Sequence, residues 1–189
     1  MAVETLWYTM DNKSGVDLNY PFTSVDSAAA PNPTVPAAPA NKGDRVQGNN
    51  GSEWIFVQAS ATVTAKNLIA INNVGNCANL TSALVISNVY TYGIAMFQAT
   101  QANATDFFWA LVKANFGAAL NVDATSSVAG VGAALYISAG NPGQVMVTAT
   151  TNRLNGIFGV NSVSSGATIE IGMFSYILPG ALVSALPIA

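Results

Sequence analysis

From Val46 onward the chain alternates short apolar runs with short polar breaks. Trp54-Ile55-Phe56-Val57 follows the turn-former Asn49-Asn50-Gly51-Ser52. Further runs cover 63–71, 83–89, 92–98, 107–113, 118–123, 133–138, 144–148, 154–160 and 168–178. They are rich in Val, Ile, Thr and aromatic residues and are divided by Gly, Asn and Ser, which is the signature of strands. The stretch 168–174 alternates cleanly, with Ile169, Ile171 and Met173 against Glu170 and Gly172. Gly140-Asn141-Pro142-Gly143 is a strong turn between two runs. Helix patterns are confined to 107–119 and 178–186, and glycines and β-branched residues weaken both. About ten short strands at this spacing predict an all-β fold, an antiparallel β-barrel or sandwich. No fixed-period repeat points to a solenoid or propeller.

Ahead of the strands the texture differs. Five of the eight prolines, Pro21, Pro31, Pro33, Pro36 and Pro39, precede residue 46. The run 26–40, DSAAAPNPTVPAAPA, reads as polyproline II or loose coil, because proline lacks a ladder donor and holds its predecessor extended. Before it stands a small apolar patch, Leu6, Trp7, Tyr8 and Met10, too small to form a core alone. The division predicted is an extended Pro/Ala-rich N-terminal arm over 1–45 and a β-rich body over 46–189 that ends in an apolar tail. Leu6, Trp7, Tyr8 and Met10 are the expected anchors of the arm, since large aromatics dominate interface hot spots. Pro179, Leu182 and Leu186 of the tail are expected to pack between protomers or along a partner surface.

Charge sharpens this division. Of 189 residues only 8% are charged, six Lys or Arg and nine Asp or Glu, while 51% are hydrophobic. Nine of the fifteen charges fall in residues 1–53, leaving six for the other 136. Six basic residues and a net charge of −3 argue against a nucleic-acid partner, whose phosphates must be neutralised. The apolar 171–189 approaches the length of a membrane span, but Pro179 and Pro187 interrupt it and no Lys or Arg flanks it, so no membrane partner is expected. The N-terminus has neither a basic n-region nor an apolar h-region, so synthesis in a cytoplasm is expected.

Candidate chemistry is sparse. With no histidine there is no Ser-His-Asp or Cys-His machinery and no His-ligated metal. The single Cys77 has no basic neighbour to activate it and reads as a small core residue. Glu53, Asp106, Asp123 and Glu170 are the carboxylates from which a glycosidase pair would be drawn, yet their slots read as solvated or structural. Asp11-Asn12 and Asp17-Leu18-Asn19 are the nearest approach to a calcium loop. Trp54, Phe107, Phe108, Trp109 and Tyr136 read as core before carbohydrate platform. Neither an enzyme activity nor a cofactor is expected.

Three stretches carry a resemblance to a known family. Residues 43–60, GDRVQGNNGSEWIFVQAS, follow the pattern G-x-x-V-x-G-x-x-G-S-E-W/Y-x-x-V-x-A. Residues 106–123, DFFWALVKANFGAALNVD, resemble a Trp-centred hairpin. Residues 132–143, GAALYISAGNPG, with LNGI at 154–157, resemble a G-x-x-L-Y strand and its successor. In this the chain resembles the decoration (cement) proteins and small head proteins of tailed bacteriophages. The resemblance implies a β-rich knob on the outer surface of the virion capsid, bound to the major capsid protein and to itself as a homotrimer. Other readings are a different virion part, such as a head fibre base, tail component or receptor-binding tip, and a small ligand-binding or carbohydrate-binding barrel.

Overall fold

The computed structural model describes Leu18, Pro21 and residues 40–48, 51–86, 91–115, 117–126, 130–147 and 152–180, with 85, 86 and 173–180 described as backbone only. The fold is all-β but for one five-residue helix among these residues. The first six strands are β1 (Arg45–Gln47), β2 (Glu53–Ala59), β3 (Val63–Thr64), β4 (Leu68–Ile71), β5 (Asn76–Asn79) and β6 (Thr91–Ile94), with helix α1 (Ser82–Ile86) before the last. Then come β7 (Gln101–Ala102), β8 (Phe107–Lys113), β9 (Ala118–Asn121), β10 (Leu135–Ile137), β11 (Val145–Met146), β12 (Arg153–Gly159) and β13 (Thr168–Gly180).

The first sheet closes on itself. Its order is β1-β2-β5-β4-β6-β8, and β2 pairs again with β8, so β2, β5, β4, β6 and β8 form a five-stranded barrel. The β2–β8 seam is long, with six residue pairs from Glu53↔Lys113 to Gln58↔Phe107. The β6–β8 seam is a single pair, Ile94↔Leu111. β2 meets β5 in parallel, Gln58↔Asn76 and Ala59↔Cys77. The ribbon β3–β7 pairs apart from the barrel, Val63↔Ala102 and Thr64↔Gln101. The second sheet, β11-β10-β12-β13-β9, is antiparallel throughout.

These elements follow from which faces are covered. Ile55, Val57 and Ala59 of β2, Ile69 and Ile71 of β4, Cys77 of β5 and Phe108, Ala110 and Val112 of β8 fill the barrel interior. Trp54 and Phe56, Leu68 and Ala70, and Trp109 and Leu111 point the other way, into a core shared with Leu120, Leu135, Ile137, Leu154, Ile169 and Ile171 of the second sheet. β2, β4 and β8 are therefore buried on both sides, which is why they read as continuous apolar runs and not as alternation. A five-stranded barrel is narrow, so small residues share its interior with larger ones. Gly93 is one of them: a Cβ there would lie 3.1 Å from the Leu111 carbonyl oxygen.

Burial outweighs charge in holding this together. A buried Trp such as Trp54 or Trp109 removes roughly 200 Å² from water, on the order of 5 kcal/mol as an upper bound. The Arg45–Glu53 ion pair, at 4.0 Å and partly exposed, is worth about 1 kcal/mol at most.

Three local expectations differ from the structure. The run 83–89 was expected as a strand, but Ser82–Ile86 is helical. Thr81 caps it, its Oγ1 accepting from the Leu84 amide at 3.3 Å. The run 63–71 is two strands, broken by a turn in which Lys66 takes φ 62°. The helix pattern at 107–119 yields to strands β8 and β9, with Gly117 at φ 81° before β9.

Ahead of β1 the chain meets the body at several described points. Leu18 is 1% exposed and belongs to the larger core. Ala40 packs against that core, and Asp44 and Gly43 exchange backbone hydrogen bonds with Phe56 at 2.8 Å. Among the described residues no helix is long and apolar enough to cross a membrane.

Candidate functional site

The best-organised polar cluster lies where the barrel meets the second sheet. Asn67, in the turn before β4, and Asn121, at the end of β9, face each other. Asn121 Nδ2 donates to Asn67 Oδ1 and to the Ala65 carbonyl, both at 2.8 Å. Asn67 Nδ2 donates to the Pro142 carbonyl at 3.1 Å and to Asn79 Oδ1 at 3.4 Å. Backbone bonds extend the joint: Leu68 N to Gly143 O at 2.7 Å, Gly143 N to Leu80 O at 2.8 Å and Asn121 N to Lys66 O at 3.0 Å. The turn 140–143 docks here because Gly143 has φ 82° and leaves room for Asn67, whose Nδ2 would stand 2.7 Å from a Cβ.

Asp123, two residues beyond Asn121, is 2% exposed. Its Oδ1 accepts from the Thr125 amide at 2.8 Å and the Thr125 hydroxyl at 2.7 Å. Its Oδ2 accepts from the Ser138 hydroxyl and from Asn141 Nδ2, the latter at 3.0 Å. Ser138 Oγ in turn accepts from the Asn141 amide at 2.9 Å. The Ser138 bond foremost, then those from Thr125 and Asn141, hold the Asp123 carboxyl well below the usual carboxylate range, against the opposing effect of burial. Four donors on two oxygens leave this carboxylate fully engaged. It fastens the 138–143 turn to the end of β9 and is unsuited to proton transfer.

The other carboxylates also have local duties. Asp106 Oδ2 accepts from the Asn103 amide at 2.7 Å and shapes the turn into β8. Glu53 faces Arg45, and Glu170 is exposed on β13 opposite Ala119. Among the described residues no three His, Cys, Asp or Glu side chains are grouped to hold a metal ion. The Asp11-Asn12 motif, and Asp17 and Asn19, lie outside the described residues.

Cys77 is 1% exposed in the barrel, and burial pushes its thiol up to about 12. Trp54, Trp109 and Phe108 are buried, as their reading as core requires. Phe107 is half-buried and stacks on Phe56 with ring centroids 5.7 Å apart. Trp54 Nε1 donates to Ser52 Oγ at 2.9 Å, whereas the buried Trp109 Nε1 has no hydrogen-bond acceptor among the described residues.

Of the interface residues expected from the sequence, Leu6, Trp7, Tyr8, Met10, Leu182 and Leu186 lie outside the described residues. Pro179 is in β13, its Cα paired with Leu154 of β12. β9 pairs with β13 only from Thr168 to Ile171, so Pro179 occupies a stretch where one described neighbour suffices and a missing amide is tolerated. The Asn67–Asn121 joint was not foreseen. Its one sequence signal is an Asn at the end of a run otherwise apolar or small, Ala118 to Asn121.

No model of a known family matches the chain, and no curated protein does. Among solved structures it is similar to the head fibre gp8.5 N base of bacteriophage phi29, with a TM-score of 0.42 and 16% identity over 67% of this chain and 98% of that one. At that identity and score the match assigns neither a family nor a function.

Proposed function

We propose that this chain is a structural protein of a tailed-phage virion, and within that class a decoration protein on the outer surface of the head. It binds the major capsid protein across capsomer boundaries and associates with itself as a homotrimer. Added contacts of this kind stabilise an assembled shell by mass action and require no titratable site. In this reading Leu6, Trp7, Tyr8 and Met10 anchor on the shell, and Pro179, Leu182 and Leu186 pack between copies.

The observation that carries the reading is where the few charges of the body sit. From β2 onward Asp106 and Asp123 are buried in turns, Glu53, Lys66 and Lys113 are half-buried, and only Arg153 and Glu170 are exposed, while Lys42, Asp44 and Arg45 are exposed beside β1. Beyond β1 the described surface is thus made mostly of amides, hydroxyls and small side chains, which supports a role in which it is covered by partners. The three stretches that carry the family resemblance form β1–β2, β8–β9 and β10 with β12, the frame of both sheets.

Co-sedimentation with heads that lack the protein tests this. A decoration protein saturates at a fixed ratio to the shell subunits. Saturation at a few copies per head identifies a fibre base or tip instead, and failure to sediment with heads removes the virion-surface reading.

A further inference from the structure

Strand β12 contains an Asn-Gly pair, Asn155-Gly156, at the place where its ladder with β13 breaks. Cα partners run Arg153↔Gly180, Leu154↔Pro179 and Asn155↔Leu178 and resume at Ile157↔Met173, so residues 174–177 stand against Gly156 alone. Gly156 takes φ 87°, a left-handed conformation that glycine adopts without strain. Leu154 enters the core, so Asn155 faces outward and is exposed. No hydrogen bond to another described residue holds its side-chain amide, whereas those of Asn67, Asn121 and Asn141 donate to fixed acceptors.

This combination is a chemical one. The carboxamide carbon of an asparagine and the next backbone nitrogen can close a five-membered ring. In a regular strand the ladder holds the peptide plane extended and keeps the two atoms apart. A bulge interrupts the ladder at that plane. A glycine in the second position has no side chain to crowd the approach.

We propose that Asn155-Gly156 is a site of spontaneous covalent modification in the folded protein. The Gly156 nitrogen loses its proton to hydroxide and bonds to Asn155 Cγ. The bond from Cγ to Nδ2 breaks, and that nitrogen takes a proton from water and leaves as ammonia. Water then adds to either carbonyl carbon of the succinimide, the carbon–nitrogen bond there breaks, and the nitrogen regains a proton. One water is consumed and one ammonia released overall. Opening at Cγ leaves an aspartate in the original chain. Opening at the other carbonyl leaves an isoaspartate, whose main chain runs through the former side chain and is one atom longer.

The two products act differently on the sheet. Aspartate places a carboxylate two residues from Arg153 on the same face, about 7 Å along the strand. Either product takes the formal net charge of −3 one unit lower. Isoaspartate lengthens β12 beside its last three pairs and so loosens their hold on residues 178–180 of β13. The step needs no partner chain and holds whether or not the protein belongs to a virion.

The full-length protein tests this, folded and guanidinium-unfolded samples being aged side by side at pH 8 and digested with trypsin. Fragment 154–189 contains Asn155 and Asn161, which fragment ions tell apart. The expected result is a gain of about 1 Da at Asn155 in the folded protein, at a rate within about tenfold of the unfolded chain's. Asn141 is expected to stay unchanged, because the Pro142 nitrogen has no proton to lose. The rate at Asn155 is expected to rise about tenfold per pH unit, as loss of an amide proton to hydroxide requires. Asn155→Gln, whose ring would need one more atom, is expected to abolish the mass gain at that position. A folded rate about a hundredfold or more below the unfolded one overturns the proposal, since the strand then protects the pair. A rate that does not change with pH, or a mass gain confined to Asn161, overturns it as well.

Discussion

Gly140 and Gly143 stand in one turn and differ in what a methyl group would meet. At Gly140 nothing lies within 4 Å, whereas at Gly143 the backbone is left-handed and Asn67 stands 2.7 to 2.9 Å from the new carbon. Gly143→Ala is expected to cost about 2 kcal/mol or more, from the left-handed penalty and the displaced amide together. Gly140→Ala is expected to be near neutral, and urea titrations of both variants check the pair. Asp123→Asn replaces an acceptor by a donor facing Asn141 Nδ2 and is expected to cost about 2 kcal/mol at neutral pH. The sign of its pH dependence follows from a folded pKa below the unfolded one. The carboxylate's contribution is complete above the unfolded value of about 3.9 and fades as pH falls through the folded value. The difference between wild type and Asp123→Asn is thus expected to stay constant from neutral pH down to about 5 and to narrow below about 4. A difference that widens in acid would contradict this account. Cys77, with its thiol pushed up to about 12 inside the barrel, is expected to ignore a disulfide reagent at pH 8 until denaturant opens the fold.

The barrel closes through two unlike seams, and this decides where it opens. β2 and β8 share six residue pairs, while β6 and β8 share one, Ile94↔Leu111. Native-state hydrogen exchange is expected to be fastest, among barrel strands, along β6 and slowest at the centres of β2 and β8. Equal protection of β6 and β2 would show that the short seam is not the weak one. What the sequence reveals tracks burial. Trp54 to Val57 and Phe107 to Lys113 are legible because double-sided burial writes an apolar run into the chain. β5 is invisible for the opposite reason: in Asn76–Asn79 only Cys77 is buried, and the rest is polar or small. In β12 the alternation fails at Gly156, whose φ of 87° lets Leu154 and Ile157, three apart, both enter the core. Opposite it, residues 174–177 of β13 stand against Gly156 alone. The polar joint is illegible because Asn67, Asn121 and the 140–143 turn are far apart in sequence, and their pairing exists only once both sheets have formed.

At the scale of the whole molecule, the low charge of the body becomes a statement about the forces available to it. Arg153 and Glu170 are the fully exposed charges among the described residues of the body after Glu53. Arg45 and Glu53 neutralise each other at 4.0 Å. Attraction between exposed charges is screened beyond about 10 Å at 0.1 M salt, so an assembly held by ion pairs loosens as salt rises. An assembly held by apolar burial does not, and excluded salts such as sulfate strengthen it. If the chain self-associates as proposed, the oligomer is expected to keep its dissociation constant within about threefold between 0.05 and 1 M sodium chloride and to tighten in ammonium sulfate. Sedimentation velocity across a concentration series at each salt gives this directly. Dissociation that climbs tenfold or more with sodium chloride would mean that charged residues carry the contact, either the exposed Lys42, Asp44, Arg45, Arg153 and Glu170 or Glu4, Asp11, Lys13, Asp17 and Asp26, which lie outside the described residues. Leu18→Asp acts on the fold before it acts on any assembly. It places a charge in the chain's own apolar core and is expected to lower the stability of the body at every salt concentration in urea titrations, because the cost of burying an unpaired carboxylate is not relieved by screening ions.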